Sequence, residues 1–501
     1  MHILFRCNVS ARSGTGHFMR CLALAQHWRS EGGSASFVMP SCPEPLAADL
    51  KTSGLELFPL GQDLASEAEA AEVARLAGRC GAQRIVLDGY AFGAEYQRAL
   101  KQPGLPLLLI DDYGHAGHYY ADWVLNQNLY ATEKLYPVRE ETTRLLLGTR
   151  YVLLRNEFAR WRDWERVTAP RARRLVATLG GSDPENVTRK VLLALSSLRA
   201  EALEAVVVLG AGNPRAAALA REFTPGIPGV RLERSIGNMA EVMAWADLAL
   251  AAGGTTCWEL SFMQLPAILV TLADNQRAVA ASLHSAGAAI NAGWHSDVGP
   301  QDLAELVRGL VHDQPRRGRM SLAARALVDG AGCERASAAL RGDRLVLRRV
   351  RAGDCRLLFD WANDPAVRSF SYNAAPIVWE EHAQWLKERL ADPACFMFVG
   401  EEHDGTPVGL VRFQVNGEDA EASVNVASDR RGGGYGTALI GLGCAKLERG
   451  TALRTTHAFI KLDNVASVRA FEKAGFIHAG REVVKGFASL HLVRNKGRAG
   501  G

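Results

Sequence analysis

A histidine directly behind a glycine-containing turn is the first residue of this chain suited to acid–base chemistry. After an apolar run, HILFRC, the sequence reads Asn8-Val9-Ser10-Ala11-Arg12-Ser13-Gly14-Thr15-Gly16-His17-Phe18-Met19-Arg20. A glycine-rich loop between a strand and a helix brings backbone N–H groups and a helix N-terminus close to an anionic ligand. Glycines also simply permit tight turns, so G-x-G alone does not separate a ligand loop from a structural one. His17 falls at the carboxyl end of a parallel strand, where open α/β sheets place their ligand crevice. An imidazole there can act as a general base near neutral pH; a capping or surface histidine is the structural alternative.

Two later turns repeat the pattern. Leu179-Gly180-Gly181-Ser182-Asp183 follows a strand and precedes a helix expected from about Glu185, a second phosphate-cradle geometry. Ala251-Ala252-Gly253-Gly254-Thr255-Thr256-Cys257-Trp258-Glu259 opens onto a helix that carries Glu259 one turn in. That carboxylate could accept hydrogen bonds from two ribose hydroxyls, or only complement the helix dipole. Asp274-Asn275-Gln276 then follows the next strand.

A separate signal stands near the C-terminus. Asp429-Arg430-Arg431-Gly432-Gly433-Gly434-Tyr435-Gly436-Thr437 reads R-x-x-G-x-G between a strand and a helix. Successive N–H groups at such a turn can ring a pyrophosphate, with the helix dipole adding attraction. A flexible glycine hairpin is the alternative. Further on come Asn464-Val465-Ala466-Ser467 and Ala470-Phe471-Glu472-Lys473-Ala474-Gly475-Phe476.

Elements in a regular rhythm must position these residues. Apolar runs at 2–7, 36–39, 84–87, 107–110 and 123–125 read as strands. After the first comes a helical pattern with Phe18, Cys21, Leu22, Ala25 and Trp28 on one face. The rhythm restarts with strands at 174–179, 205–209, 248–251 and 267–272. Two successive α/β units with helix-covered parallel sheets suggest two Rossmann-like domains facing a cleft. The Trp- and Arg-rich segment 160–173 is read as the crossing between them, and charged 334–344 as the spacer before a third unit. There, a strand at 345–348 and a helix at 354–363 precede an antiparallel meander at 396–401, 408–415 and 422–426. The domains are expected at 1–158, 159–333 and 344–501.

Composition narrows the class. With 501 residues the chain is too long for one core. Hydrophobic residues are 48% and charged residues 22%, an ordinary globular balance. A net charge of +4 gives no bulk electrostatic case for nucleic acid or an anionic membrane. Nine scattered cysteines, never spaced C-x-x-C, form neither a disulfide framework nor a zinc site, and no metal is expected. With no membrane-length apolar run and no signal pattern, a cytoplasmic protein is expected.

The G-x-G-H-x-x-R loop, the G-G-S-D turn, the G-G-T-T-x-x-E helix start and the D-N-Q loop together resemble the nucleotide-sugar hydrolase of pseudaminic acid biosynthesis. That family is related to the UDP-GlcNAc-using transferase of peptidoglycan synthesis and has the GT-B fold. The resemblance covers roughly 1–330 and takes in Asp88-Gly89-Tyr90, Asp111-Asp112, Asn126-x-Asn128 and Leu154-Arg155-Asn156-Glu157-Phe158. It implies that His17, beside Gly16, is the base that activates water for attack at the anomeric carbon. It implies that Tyr90 and Asn275 line the sugar pocket and that Asn186 and Glu259 contact the nucleotide sugar. The backbone around Gly180, Gly181, Gly253 and Gly254 would hold the diphosphate. One departure is Gly89, where a histidine often stands.

The two C-terminal blocks together resemble the GNAT acyl-CoA N-acetyltransferases over roughly 344–495. LFDWANDPAVR, beginning at Leu358, is similar to the subgroup containing the pseudaminic-pathway amino-sugar acetyltransferase and the ribosomal-protein acetyltransferases. The resemblance implies acetyl-CoA as co-substrate, with Arg431, Gly432, Gly434, Gly436 and Thr437 at its pyrophosphate. It also implies the backbone of Val424 and Val426 and the side chain of Asn464 at the pantetheine arm. Phe471 stands where many members carry the tyrosine that protonates the leaving thiolate. Glu421, Ser423 or a water chain remain open as the base.

The fold implied is α/β throughout: a GT-B-like pair of Rossmann domains followed by a GNAT domain. The function implied is bifunctional, 4-N-acetylation of a UDP-4-amino-4,6-dideoxy-N-acetyl-altrosamine and hydrolysis of the diacetamido product to free sugar and UDP. The alternatives are a UDP-sugar glycosyltransferase with an appended acetyltransferase, and a nucleotide-sugar sensor with a protein N-acetyltransferase.

Overall fold

The computed structural model describes residues 1–9, 15–40, 42–61, 65–101, 104–210, 212–223, 226–234 and 236–496. The chain divides into two compact units, Met1–Leu340 and Arg341–Gly501. Among the described residues, no helix is long and apolar enough to cross a membrane.

The first unit contains two all-parallel sheets. Across the first, the strands run Glu56–Pro59, Ser34–Met39, His2–Cys7, Arg84–Asp88, Leu107–Ile110, Trp123–Asn126 and Arg144–Leu147. Chain order reverses between His2–Cys7 and Arg84–Asp88, the switch point at which such sheets open a crevice. Both faces are covered, so successive residues of one strand enter different cores. Ile3, Phe5 and Cys7 join one and Leu4 the other. The helix Gly16–Ser30 lies on the first face with Phe18, Cys21, Leu22, Ala25 and Trp28 buried, as its spacing predicts. The second sheet runs Val230–Glu233, Glu204–Val208, Arg174–Thr178, Leu248–Ala252, Ala267–Thr271 and Ala289–Trp294.

Four strands of this unit were not anticipated: Glu56–Pro59, Arg144–Leu147, Val230–Glu233 and Ala289–Trp294. All four are sheet edges. An edge strand is paired on one side only and tolerates polar or charged residues, so its apolar signature is weak.

The crossings also differ from the sequence reading. Val152, Leu154 and Phe158 already pack in the core of the second half. The following segment is pinned by Arg166, which donates to the carbonyls of Met243 at 2.6 Å and Met263 at 3.0 Å. Burial lowers the Arg166 guanidinium to about 10. The expected spacer is instead the helix Gly332–Arg341, whose Cys333, Ala336, Ala339 and Leu340 join the core of the first half. Its charges mask an apolar stripe at helical spacing.

The second unit is built on one sheet, in the order Val346–Arg349, Cys395–Glu401, Pro407–Asn416, Asp419–Val426, Thr455–Lys461, Phe487–Asn495 and Ile477–Val484. The expected meander is present and antiparallel. The one parallel junction joins Asp419–Val426 to Thr455–Lys461, in register only from Asp419↔Thr455 to Glu421↔His457. Beyond Glu421 the two strands splay. Helix Tyr435–Gly450 packs on one face of the sheet, and helices Cys355–Ala362 and Trp379–Ala391 on the other.

Candidate functional site

Register brings the first group together. Cys7 pairs with Asp88, so the carboxyl ends of their strands lie side by side beneath the helix that begins at Gly16. His17 Nδ1 lies 2.6 Å from Asp88 Oδ1. Arg20, one turn on, donates to Asp88 Oδ2 at 2.6 Å, to Asp88 Oδ1 at 2.7 Å and to Asp112 Oδ1 at 2.7 Å. A carboxylate only accepts, so Nδ1 of His17 carries the proton and Nε2 is left as the basic nitrogen. The 3.2 Å between Arg20 Nη2 and His17 Nδ1 is then an approach of two donors. Nε2 makes no hydrogen bond to a described residue.

Two carboxylates share one guanidinium in this group. Burial alone would lower the Arg20 guanidinium, but Asp112 and Asp88 hold it well above its usual value. Burial would raise the Asp112 carboxyl, and Arg20 pulls it well below the ordinary carboxylate range instead. Tyr90 stands edge-on to His17 at 4.7 Å and donates to Asp112 Oδ2 at 2.8 Å. Its hydroxyl accepts from Asn275 Nδ2 at 2.8 Å, a link from the other half of the unit. Burial, then Asp112, raises the phenol far above its usual value, so it stays a neutral donor. His115 lies 5.9 Å from the Tyr90 ring with Nε2 buried and unpartnered. It supplies, from a different loop, an imidazole beside Tyr90 that Gly89 cannot.

The glycine turns of the second half meet the loop before His17. A Cβ on Gly16 would sit 3.4 Å from Thr255 Oγ1, and one on Gly181 would sit 3.2 Å from Thr15 Oγ1. Gly14 lies outside the described residues. Gly180 has φ 83°, and a Cβ on Gly253 would sit 3.1 Å from the Gln276 Cβ, with Gly254 alongside. One expectation is corrected. The helix after Gly180-Gly181 starts at Val187, and Asp183 already takes the amides of Val187 at 2.8 Å and Thr188 at 2.9 Å. A chain carboxylate occupies that helix end, so any phosphate cradle there is confined to the Gly180-Gly181 turn. Asn186 is the left-handed N-cap, φ 53°, with its Oδ1 buried and unpartnered. Glu259 accepts from Arg155 Nε at 2.8 Å through Oε1, and Oε2 has no partner among the described residues.

In the second unit the glycine turn leads into the helix Tyr435–Gly450. Gly432 and Gly434 have φ 77° and 81°, a region that favours glycine, and a Cβ on either would meet nothing within 4 Å. Among the described residues no side chain caps this helix and no acidic residue lies in its first turn, so none of them places a carboxylate on the amides around Gly434, Gly436 and Thr437. That fits a pyrophosphate, in contrast to the helix capped by Asp183. Val424 and Val426 lie on the splayed part of their strand, whose backbone faces no partner strand on that side among the described residues. The Val426 carbonyl accepts from Arg431 Nε at 3.2 Å, and Arg431 pairs with Asp364 at 2.8 Å. The Arg431 hydrogen bond, foremost, holds the Asp364 carboxyl low. Asn464 caps the next helix by accepting from Ser467 N at 3.2 Å, leaving its Nδ2 as a donor. Phe471 is buried edge-on to Phe476 at 4.9 Å, core packing without a polar atom.

The opposite face of this sheet holds a cavity of about 470 Å³, which the sequence reading missed. Trp361, Glu381, His382, Trp385, Arg412, Ser423 and Asn425 are among its lining residues; of the two side chains considered as base, Ser423 lines it and Glu421 does not. His382 Nε2 is buried and unpartnered, and burial lowers the imidazole's pKa against a bond with the Cys355 backbone. The signal was weak: tryptophans and a histidine at helical spacing read as core.

The fold defines two parallel-sheet α/β halves followed by an α/β unit built on a mixed sheet. Residues 175–332 match the glycosyltransferase family 28 C-terminal domain, and residues 344–477 match the acetyltransferase (GNAT) domain. The chain thus carries a stretch that matches the glycosyltransferase family 28 C-terminal domain ahead of one that matches the GNAT acetyltransferase domain. An uncharacterized protein of Methanocaldococcus jannaschii is 21% identical over 95% of this chain and 96% of its own length. The spore coat polysaccharide biosynthesis protein SpsG of Bacillus subtilis is 26% identical over 51% of this chain and 76% of its own. The crystal structure of Acinetobacter baumannii MurG aligns with TM-score 0.49 and 17% identity, over 68% of this chain and 99% of that one.

Proposed function

We propose that the chain performs two consecutive steps on one UDP-linked amino sugar. Residues 344–501 acetylate the 4-amino group of a UDP-4-amino-4,6-dideoxy-N-acetyl-altrosamine. Residues 1–158 and 159–333 then hydrolyse the resulting UDP-2,4-diacetamido-2,4,6-trideoxy-altrose. In the first step the neutral amine attacks the acetyl carbonyl carbon, the C–N bond forms, the C–S bond breaks to release the thiolate, and the proton lost from the nitrogen passes through water to the thiolate. In the second, a water oxygen attacks the anomeric carbon on the face opposite UDP while His17 Nε2 takes its proton. The anomeric C–O bond breaks and UDP leaves as an anion, so positioning and charge neutralisation carry much of the catalysis.

The observation that carries this reading is the commitment of His17 Nδ1 to Asp88, which leaves Nε2 as a base beside the Tyr90–Asn275 contact. Asn186 and Glu259 suit the nucleotide, each with an oxygen unpartnered among the described residues. His17→Ala is expected to lose ~10²–10⁴-fold in UDP release from the diacetamido substrate, with acetylation untouched. UDP release at the unaltered rate removes His17 from the step. A second reading, transfer of the sugar to an acceptor, is favoured by the family 28 match. Under that reading UDP release requires an added acceptor.

A further inference from the structure

The cavity in the second unit contains polar groups that the fold does not satisfy. The Arg412 side chain makes no hydrogen bond or ion pair to a described residue, and its guanidinium lies 5.9 Å from the Trp385 ring. Three other arginines of this unit are paired: Arg348 with Asp354 at 2.7 Å, Arg389 with Asp392 at 3.5 Å, Arg431 with Asp364 at 2.8 Å. Arg412 lies in register with Ser423 on the neighbouring strand, so both stand on the cavity face of the sheet. Glu381 lines the same cavity and is likewise without a hydrogen bond or ion pair to a described residue. Deeper in, His382 is 3% exposed with Nε2 unpartnered, and Asn425 Oδ1 is buried and unpartnered.

His382 Nε2 and Asn425 Oδ1 are buried without a partner, which is costly unless a ligand pairs them, while the half-buried Arg412 and the exposed Glu381 stand free at the same opening. The carboxylate of Glu381 and the amide oxygen of Asn425 suit N–H donors of an amine. The planar fork of Arg412 suits an anion, a phosphate oxygen pair above all. We propose that this cavity selects an acceptor carrying an anion as well as its amine, with Arg412 as the specificity-determining residue. The proposal rests on the reading of the second unit as an amino-sugar acetylating site and names the feature of the sugar that the site recognises. The anion is either the diphosphate of a nucleotide sugar or a single phosphate at C1.

Steady-state acetylation by the full chain tests this with one 4-amino-4,6-dideoxy sugar in three forms: UDP-linked, as the 1-phosphate, and as the methyl glycoside. The native chain should take at least one anionic form about 10–100-fold better in kcat/KM than the glycoside, the worth of charge-assisted hydrogen bonds. Arg412→Gln should lower kcat/KM for the anionic forms about 10–100-fold more than for the glycoside, and Arg412→Lys should restore part of that difference. Preference for the UDP form assigns the anion to the diphosphate; equal use of both anionic forms assigns it to the C1 phosphate. Use of the 1-phosphate alone retains the inference and removes the nucleotide-sugar reading. Equal use of all three, Arg412→Gln lowering all three alike, or use of none overturns it.

Discussion

Asp88→Asn separates the structural from the catalytic share of the His17 group. Asp88 Oδ1 serves both His17 Nδ1 at 2.6 Å and Arg20 at 2.7 Å, while Oδ2 serves Arg20 Nε at 2.6 Å. An asparagine keeps the shape but offers one oxygen and one NH₂. If the oxygen stays toward His17, the NH₂ opposes the Arg20 Nε–H, two donors face to face. If it flips, the NH₂ donates to His17 Nδ1, the proton moves to Nε2, and the base is lost. Either way one charge-assisted hydrogen bond to Arg20 goes, about 1.5–3 kcal/mol. That is less than the roughly 3–5 kcal/mol of a stranded buried charge, because Asp112 still pairs Arg20 at 2.7 Å. The variant should therefore fold with a lowered melting temperature. UDP release should fall in either orientation, because the unflipped amide also lacks the negative charge that stabilises the imidazolium, and by as much as ~10²–10⁴-fold where the base is lost; acetylation should stay unchanged. Assays of UDP and free CoA on the same preparation read both. A folded Asp88→Asn with native UDP release refutes the tautomer argument.

Other consequences are equally direct. Gly434→Leu meets no neighbour within 4 Å but holds φ 81°, so it should cost about 1–2 kcal/mol of strain and abolish CoA release while UDP release persists. Gly434→Asn, which tolerates that conformation, separates strain from blockage by retaining more stability than the leucine. Glu259→Ala should weaken UDP binding by ~1–3 kcal/mol in calorimetry, and unchanged affinity would assign Glu259 to holding Arg155. The Asp112 carboxyl is held below its unfolded value, so its stabilisation is full above about pH 4 and is lost as pH falls below that, toward the folded value. Melting temperature should drop more steeply below pH 4 for the native chain than for Asp112→Asn; parallel curves would exclude the effect.

Much of this was legible because ligand loops follow parallel strands. His17, the Gly180 and Gly253 turns and Asn275 were singled out by their place after apolar runs, and the Gly434 turn by its place between a strand and a helix. What the sequence hid depends on pairings far apart in the chain. Asp88 reaches His17 only because its strand lies beside the first one, and His115 reaches Tyr90 from a loop after another strand. The edge strands carried too little apolar pattern to be seen. The helix Gly332–Arg341 was hidden by surface charge, and Asp183 was read as part of a cradle when it is a helix cap. The Arg412 cavity arises where two helices cover a sheet, a relation that no local pattern reports.

The most direct test of the two-step account is a single incubation in ¹⁸O-labelled water. The chain receives the UDP-4-amino sugar and acetyl-CoA, no sugar acceptor is added, and products are followed by mass spectrometry. The account predicts the acetylated nucleotide sugar first, then free diacetamido sugar carrying one ¹⁸O beside unlabelled UDP. Label in UDP would mean phosphorus–oxygen cleavage, and acetylated nucleotide sugar that accumulates without any release of UDP would mean that the first unit is not a hydrolase; either contradicts it.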